Sequence, residues 1–198
     1  SSQIFDLLVI GGGINGAAIA HMAALNGLKV CLLEKGDFAS GTSSRSTKIF
    51  HGGLRYLENF EFGLVKEALR ERTRQLNNAP HLVHSLGFIV PVYKGDSRPF
   101  WLIKFGGFLY DLLSGKYRIK KRRTWNVAEI EHLVPGIKTE GLIGGVIYYD
   151  GQMDDARVVL ENVLCAVEKG AVVDNYVEVR SVIKEIGKTI GVEALDKI

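Results

Sequence analysis

Three groups of residues in this chain have the types and spacing that chemistry needs. Gly11, Gly13 and Gly16 stand at G-x-G-x-x-G spacing. The first such glycine allows a tight turn, the second lets a pyrophosphate reach the backbone where a Cβ would clash, and the third lets helix and strand pack closely. Glu34 follows where a carboxylate accepts hydrogen bonds from a ribose 2′-hydroxyl, and it would repel a 2′-phosphate, which disfavours NADP. The second group is Ser40, Thr42, Ser43, Ser44, Ser46 and Thr47, with Arg45 and Lys48 among them. Such a segment donates hydrogen bonds to phosphates and sugar hydroxyls. A polar linker would share that composition but would not continue into HGGLRYL. In this third group Gly52 and Gly53 permit close backbone approach to something flat or bulky, and His51 and Arg55 are spaced i, i+4.

These groups need elements to position them. Leu7, Leu8, Val9 and Ile10 form a short apolar run, as in a strand buried on both faces of a parallel sheet. Residues 30–33 form a second run that Glu34 ends, so residues 5–34 read as a nucleotide-binding βαβ unit. Glycine triplets also occur in ordinary turns, and this chain has 23 glycines. The strand, helix, second strand and acid in their places carry the assignment. FAD and NAD both present an ADP half to such a unit. Further on, residues 61–79 read as a helix with Phe62, Val65, Leu69 and Leu76 packed and Lys66, Arg70, Glu71 and Arg74 in solvent, stopped by Pro80. Residues 87–93 read as a strand that Pro91 places at an edge or bulge. Asn126 and Glu129 suit the start of a helix that ends before Pro135. Residues 142–149 read as a strand, Asp154 caps a helix over 155–169, Gly170 closes it, and residues 186–188 turn a hairpin.

Composition bounds the class. The chain has 198 residues, 46% hydrophobic and 24% charged, the balance of a soluble globular protein with one large domain or two small ones. A net charge of +3 is too small to argue for nucleic acid. Cys31 and Cys165 lack metal-ligand spacing and read as free thiols of a reducing compartment, and no metal site is expected. The start, SSQIFD, is not leader-like, and no apolar run reaches the roughly 18 residues of a spanning helix. Residues 98–114 are apolar almost all round and lead into residues 116–123, where six of eight are cationic. This pair suits an interfacial helix on anionic lipid, or a buried helix followed by a solvated loop. Nucleic-acid binding has no stacking platform to recommend it.

The segments DLLVIGGGINGAAIA, LLEKGDFASGTSSRSTKIFHGGLRYLENFEFGLVKEALRER, APHL and YYDGQMDDARVVLENVLCAVEKGA resemble the N-terminal part of the FAD-dependent glycerol-3-phosphate dehydrogenases and their relatives, the α-glycerophosphate oxidases. The likeness spans residues 5–179, and the T-S-S-x-S-T-K-x-x-H-G-G-L-R-Y-L block discriminates far better than the glycine triplet. It implies an α/β, FAD-binding Rossmann-like fold of the glutathione-reductase type, similar to amino-acid oxidases, with part of a second, substrate domain. Residues 1–93 would begin the FAD-binding domain, 94–150 would be an excursion into the substrate- or membrane-facing region, and 151–198 would return. The implied reaction is oxidation of sn-glycerol 3-phosphate to dihydroxyacetone phosphate with hydride passing to FAD. Electrons would go on to quinone, with peripheral attachment at the inner face of the cytoplasmic membrane.

By matching positions, the resemblance assigns Gly11, Gly13, Asn15 and Gly16 to the pyrophosphate turn and Glu34 and Lys35 to the adenosine end. Thr42, Ser43, Ser46, Lys48 and the Gly52-Gly53 backbone would line phosphates, ribityl chain and flavin ring, and Val179 would lie against adenine. Arg55 would bind the substrate phosphate or orient the alcohol oxygen, Tyr56 would add a hydroxyl, and His51 would be the general base, with an ordinary pKa near working pH. A packed His51 that only hydrogen-bonds the flavin is the alternative. His21, His81, His84 and His132 are expected to have no catalytic role. The family's later motifs do not occur in this sequence, so it is expected to be an N-terminal fragment that does not turn over alone. An NAD-dependent enzyme, another FAD oxidase of the amino-acid or sarcosine oxidase type, and a non-catalytic nucleotide-binding module remain alternatives. Oligomeric state is open, a homodimer included, as is quinone against oxygen as acceptor.

Overall fold

The apolar runs flanking the glycine turn become neighbouring parallel strands in the computed structural model, which describes residues 3–198 and so leaves the first two residues of SSQIFD outside. In chain order the elements are β1 (Leu7–Ile10), α1 (Ile14–Leu25), β2 (Val30–Glu34), β3 (Ile49–Phe50), α2 (Phe62–Asn78), β4 (Val83–Tyr93) and α3 (Phe100–Ser114). They continue as β5 (Arg123–Trp125), α4 (Val127–Leu133), β6 (Leu142–Met153), α5 (Asp155–Glu168), β7 (Val172–Asn175), β8 (Val177–Glu185) and β9 (Lys188–Asp196). The chain divides into two units, one running to Lys48 and resuming over Asp154–Ile198, the other Ile49–Met153.

The first unit is a parallel sheet in the order β1-β2-β7, with Leu7 beside Val30 and Cys31 beside Val172. Its core joins Val9, Val30 and Leu32 of the strands to Ala17, Ala20 and Ala24 of α1 and to Val159, Val163 and Ala166 of α5. The alanine stripe lets α1 and α5 approach closely, and His21 Nδ1 meets Asn162 Oδ1 at 3.1 Å between them. This is a packing role for His21. Asp154 caps α5 by accepting from the Arg157 amide, and Gly170 follows its end at φ +90. The β8–β9 hairpin turns on Ile186 and Gly187, both at positive φ, as a two-residue turn between right-twisted strands requires. Tyr176, leading into β8, donates its amide to the Gly36 carbonyl at 3.0 Å.

In the second unit β6 is central and every pairing is antiparallel, with β4 on one side and β3 and β5 on the other. Pro91 lies in β4, which among the described residues pairs with β6 alone, so the missing amide is lost at an edge. Both hydrogen bonds of the Asn126/Glu129 capping box are present at the start of α4. Beneath the sheet Val65 and Leu69 of α2 meet Tyr110 of α3.

Three features depart from the sequence reading. The second unit opens at Ile49, well before residue 94, because β3 and β4 both pair with β6. β6 does not end at Tyr149 but runs on through Asp150-Gly151, and the lack of a Cβ at Gly151 lets the Phe50 carbonyl of β3 come close. On α2 the buried residues are Val65, Leu69 and Arg72, whereas Phe62 is 39% exposed.

Candidate functional site

Residues 11–16 set the geometry at the head of the parallel sheet. Gly11 adopts φ +105, which only glycine adopts cheaply, and its amide donates to the Leu33 carbonyl at 2.8 Å. A Cβ on Gly16 would collide with the Gly11 carbonyl oxygen, so this glycine is needed for close packing of helix on turn. Gly13 is the N-cap of α1, no side chain caps it, and the first turn carries no acid. Above it the space is open: a Cβ there would have only Ser43 Oγ nearby, at 3.8 Å. The amides of this first turn, of which that of Ile14 is engaged by Ser43, and the positive end of the helix dipole make this open space favourable to an anion. Asn15 is exposed on that first turn.

The hydroxyl-rich segment wraps around this turn. Thr42, Ser43 and Ser44 form a short 3₁₀ helix, and Ser43 Oγ accepts from the Ile14 amide at 3.3 Å. Thr42 is exposed. Ser46 donates to a carboxylate oxygen of Asp155 at the start of α5 and accepts from the Lys48 amide at 2.9 Å, so its hydroxyl ties the segment to the helix. Lys48 is exposed and stands at φ +58. Glu34 is engaged at both oxygens, accepting from the Gly12 amide at 2.6 Å and the Gly36 amide at 2.8 Å. It thus clamps the glycine turn to the loop after β2, a use that motif spacing does not reveal. Lys35 is exposed, and its carbonyl accepts from Lys197 Nζ at 3.2 Å. Val179 sits half-buried in β8 opposite Ala194.

Asp155 is only 7% exposed, and its Oδ1 has no hydrogen-bond partner. Burial raises its pKa above the usual 3.8; the Lys48 charge opposes this and Asp154 adds to it. A carboxyl whose folded pKa lies above its unfolded value binds more protons when folded, so stability falls as pH rises from 3.8 through the raised value. Asp155→Asn keeps an acceptor for Ser46 and removes the buried charge. The variant is expected to melt above the parent at pH 7 and to lose that advantage as pH falls towards 4. Melting curves across that range check it, and a variant that melts below the parent at pH 7 would contradict it.

The second unit carries the HGGLRY segment. His51 is exposed, its ring centroid 6.3 Å from that of Tyr56 at an interplanar angle of 62°. Gly52 is buried, and a Cβ there would collide with the Tyr110 hydroxyl and stand 2.5 Å from Leu69 Cδ2. Gly53 is at φ +76, and its Cβ would collide with the Tyr56 ring. Both glycines are therefore required by the protein's own packing, with their Cβ directions filled from inside the unit. Arg55 is exposed on a 3₁₀ helix over Leu54–Asn59 and, among the described residues, makes no ion pair.

Beneath Gly52 lies a buried polar cluster absent from the sequence reading. Asp150 Oδ1 accepts from Arg72 Nη1 at 2.6 Å, from the Tyr110 hydroxyl at 2.6 Å and from the Gly52 amide at 3.1 Å. Arg72 also donates to the Tyr149 and Tyr117 carbonyls, at 3.1 and 2.8 Å. Both charged side chains are 1% exposed. Burial, then the Asp150 charge, pushes the Tyr110 hydroxyl far above its ordinary pKa, so it remains a donor. The same causes push Tyr148 up to about 12. One sequence signal pointed here: Arg72 follows Val65 and Leu69 at helical spacing, on the packed face.

A family profile described as FAD dependent oxidoreductase matches residues 6–197. The chain is 50% identical over 181 residues to a glycerol-3-phosphate dehydrogenase of Synechocystis, covering 91% of this chain and 33% of that protein. It is 47% identical over 182 residues to a D-erythritol 1-phosphate dehydrogenase of Brucella abortus, covering 92% of this chain and 36% of that protein. Among solved structures it is similar to the glycerol-3-phosphate dehydrogenase of Bacillus halodurans complexed with FAD, with a TM-score of 0.74 and 36% identity, over 100% of this chain and 31% of that one. The chain thus spans about a third of the length of the curated relatives it matches. With its glycine turn and acid-ended second strand in place, no acid in the first turn of α1, and a profile match across nearly its whole length, the chain belongs to the FAD-dependent oxidoreductase family.

Proposed function

We propose that the complete protein oxidises sn-glycerol 3-phosphate to dihydroxyacetone phosphate. The observation that carries this reading is the 50% identity to a glycerol-3-phosphate dehydrogenase across 91% of the chain. FAD fits the residues present, because the α1 amides open over Gly13 with no acid in the first turn and suit a pyrophosphate. When bound, FAD supplies the two-electron acceptor that no side chain offers.

The chain's own residues then have the following tasks. The turn from Gly11 to Gly16, with Asn15 at its rim, holds the pyrophosphate. Glu34 has lone pairs left after accepting from Gly12 and Gly36, and with Lys35 it faces the adenosine ribose. Thr42, Ser43 and Lys48 reach phosphate and ribityl oxygens, while Ser46 keeps their loop in place through Asp155. Val179 packs on adenine, and the Gly52-Gly53 backbone borders the flavin ring. Arg55 binds the substrate phosphate, His51 takes the proton of the alcohol, and Tyr56 supports the imidazole edge-on.

Electrons then pass to a quinone at a membrane surface. The reading is supported by α3, where Trp101, Phe105, Phe108 and Leu112 are exposed, and by the mostly exposed cations that follow it, Lys116, Arg118, Lys120, Lys121 and Arg123. An apolar cavity of about 400 Å³ opens beside α3, lined among others by Leu57, Phe60, Phe62, Leu102 and Phe105. No helix among the described residues is long and apolar enough to cross a membrane.

The test is dye reduction by the flavin-loaded complete protein, offered glycerol 3-phosphate, erythritol 1-phosphate or unphosphorylated glycerol. Glycerol 3-phosphate is expected to give the highest kcat/KM and glycerol almost none. A preference for the four-carbon phosphate would favour the Brucella-like activity, and no reduction by any of them would refute the reading. Arg55→Lys, which replaces a fork of donors with a point charge, is expected to lower kcat/KM about tenfold.

A further inference from the structure

The cluster of Arg72, Asp150 and Tyr110 stabilises the second unit, yet its arrangement is not that of a simple ion pair. All three donors converge on one oxygen, Asp150 Oδ1, and one of them is the main-chain amide of Gly52. Gly52 has no freedom elsewhere: Tyr110 and Leu69 close its Cβ side. The next residue, Gly53, is left-handed and starts the 3₁₀ helix that bears Arg55 and Tyr56. Tyr56 in turn lies under Gly53 and edge-on to His51. A buried charge tied to a main-chain amide thus fixes the peptide between the two side chains assigned to the substrate.

We infer that Asp150, with Arg72 and Tyr110, is a positioning device that sets the backbone of residues 51–53 and thereby aims His51. The inference rests on the reading of His51 given above. Strength comes from three donors meeting one carboxylate oxygen in a low-dielectric setting, although Arg72 Nε is left without a partner, and from the cost of small misplacements at a reacting centre, which reach about a hundredfold in rate.

The experiment uses the complete flavin-loaded protein with Tyr110→Phe and Asp150→Asn, each alone and combined with His51→Ala. Tyr110→Phe removes one oxygen and keeps the ring, so it guards against a variant that fails to fold. Each single variant is expected to lower kcat about tenfold or more with little change in KM. Added to His51→Ala, the same change is expected to cost almost nothing further, because the group being aimed is gone. In Tyr110→Phe, which leaves the buried ion pair intact, hydrogen exchange is expected to quicken about tenfold at the Gly52 amide, with α2 and β4 unchanged. Equal rate losses with and without His51, or exchange that quickens across the whole unit, would reduce the cluster to general stability and overturn the inference. If the unmutated protein does not oxidise glycerol 3-phosphate, the substrate reading fails, and local quickening at Gly52 alone then upholds the backbone device while its absence refutes it.

Discussion

Arg72→Ala is expected to cost the complete protein about 3–5 kcal/mol of stability, the loss typical of leaving one partner of a buried ion pair uncompensated. Arg72 and Asp150 are both 1% exposed, so water cannot replace the missing guanidinium. The alanine also takes one donor from the Tyr149 carbonyl and one from the Tyr117 carbonyl, which keeps the Thr73 hydroxyl. The effect should depend on charge more than on volume. Arg72→Met combined with Asp150→Asn leaves the interior neutral, and the asparagine oxygen still accepts from Tyr110 and Gly52. That double variant is expected to recover much of the loss. Chemical denaturation checks both, and a loss below about 1 kcal/mol for Arg72→Ala would mean that the pair behaves as a surface one.

Gly16→Val is expected to remove most of the bound FAD. Any Cβ at this position meets the Gly11 carbonyl oxygen, which belongs to backbone and not to a side chain that can swing away. Gly11 cannot yield easily, held at φ +105 with its amide on Leu33. Overpacking of this kind costs about 1–3 kcal/mol. If that strain falls on the bound geometry, Kd for FAD rises about 5- to 150-fold. Gly106→Ala is the control: it lies within α3, nothing stands within 4 Å of its Cβ position, and it is expected to leave FAD binding unchanged. Titration of the apoprotein with FAD, followed by protein fluorescence, measures both, and an unchanged Kd in Gly16→Val would contradict the role given to this turn.

What the sequence disclosed, and what it hid, follows from the range of the interactions involved. The unit from β1 to β2 was legible because each signal is local: an apolar run, glycines at fixed spacing, then an acid. The Asn126/Glu129 box and the Ile186-Gly187 turn were legible for the same reason. Asp150-Gly151 was not. That dipeptide is a turn signal, and it is overridden because Arg72, 78 residues away, neutralises the aspartate inside the sheet. The two-residue strand β3 was invisible beside HGG, since its pairing with β6 is fixed by the partner and not by its own composition. Gly52 and Gly53 read as close backbone approach; in the structure their Cβ directions are filled by Tyr110, Leu69 and Tyr56, long-range packing that the sequence does not show. The apolar stretch at α3 admitted burial or an interface; Gly107, Tyr110 and Ser114 are buried and much of the rest is exposed, which no periodicity in the sequence had separated.

The most direct measurement is a crystal structure of the complete protein with FAD. The pyrophosphate is predicted to lie over Gly13, within hydrogen-bond distance of the α1 amides, with Ser43 beside it and the ribose against Glu34. A pyrophosphate lodged elsewhere, with the Gly11–Gly16 turn and the Ser43 hydroxyl facing only solvent, would contradict the account.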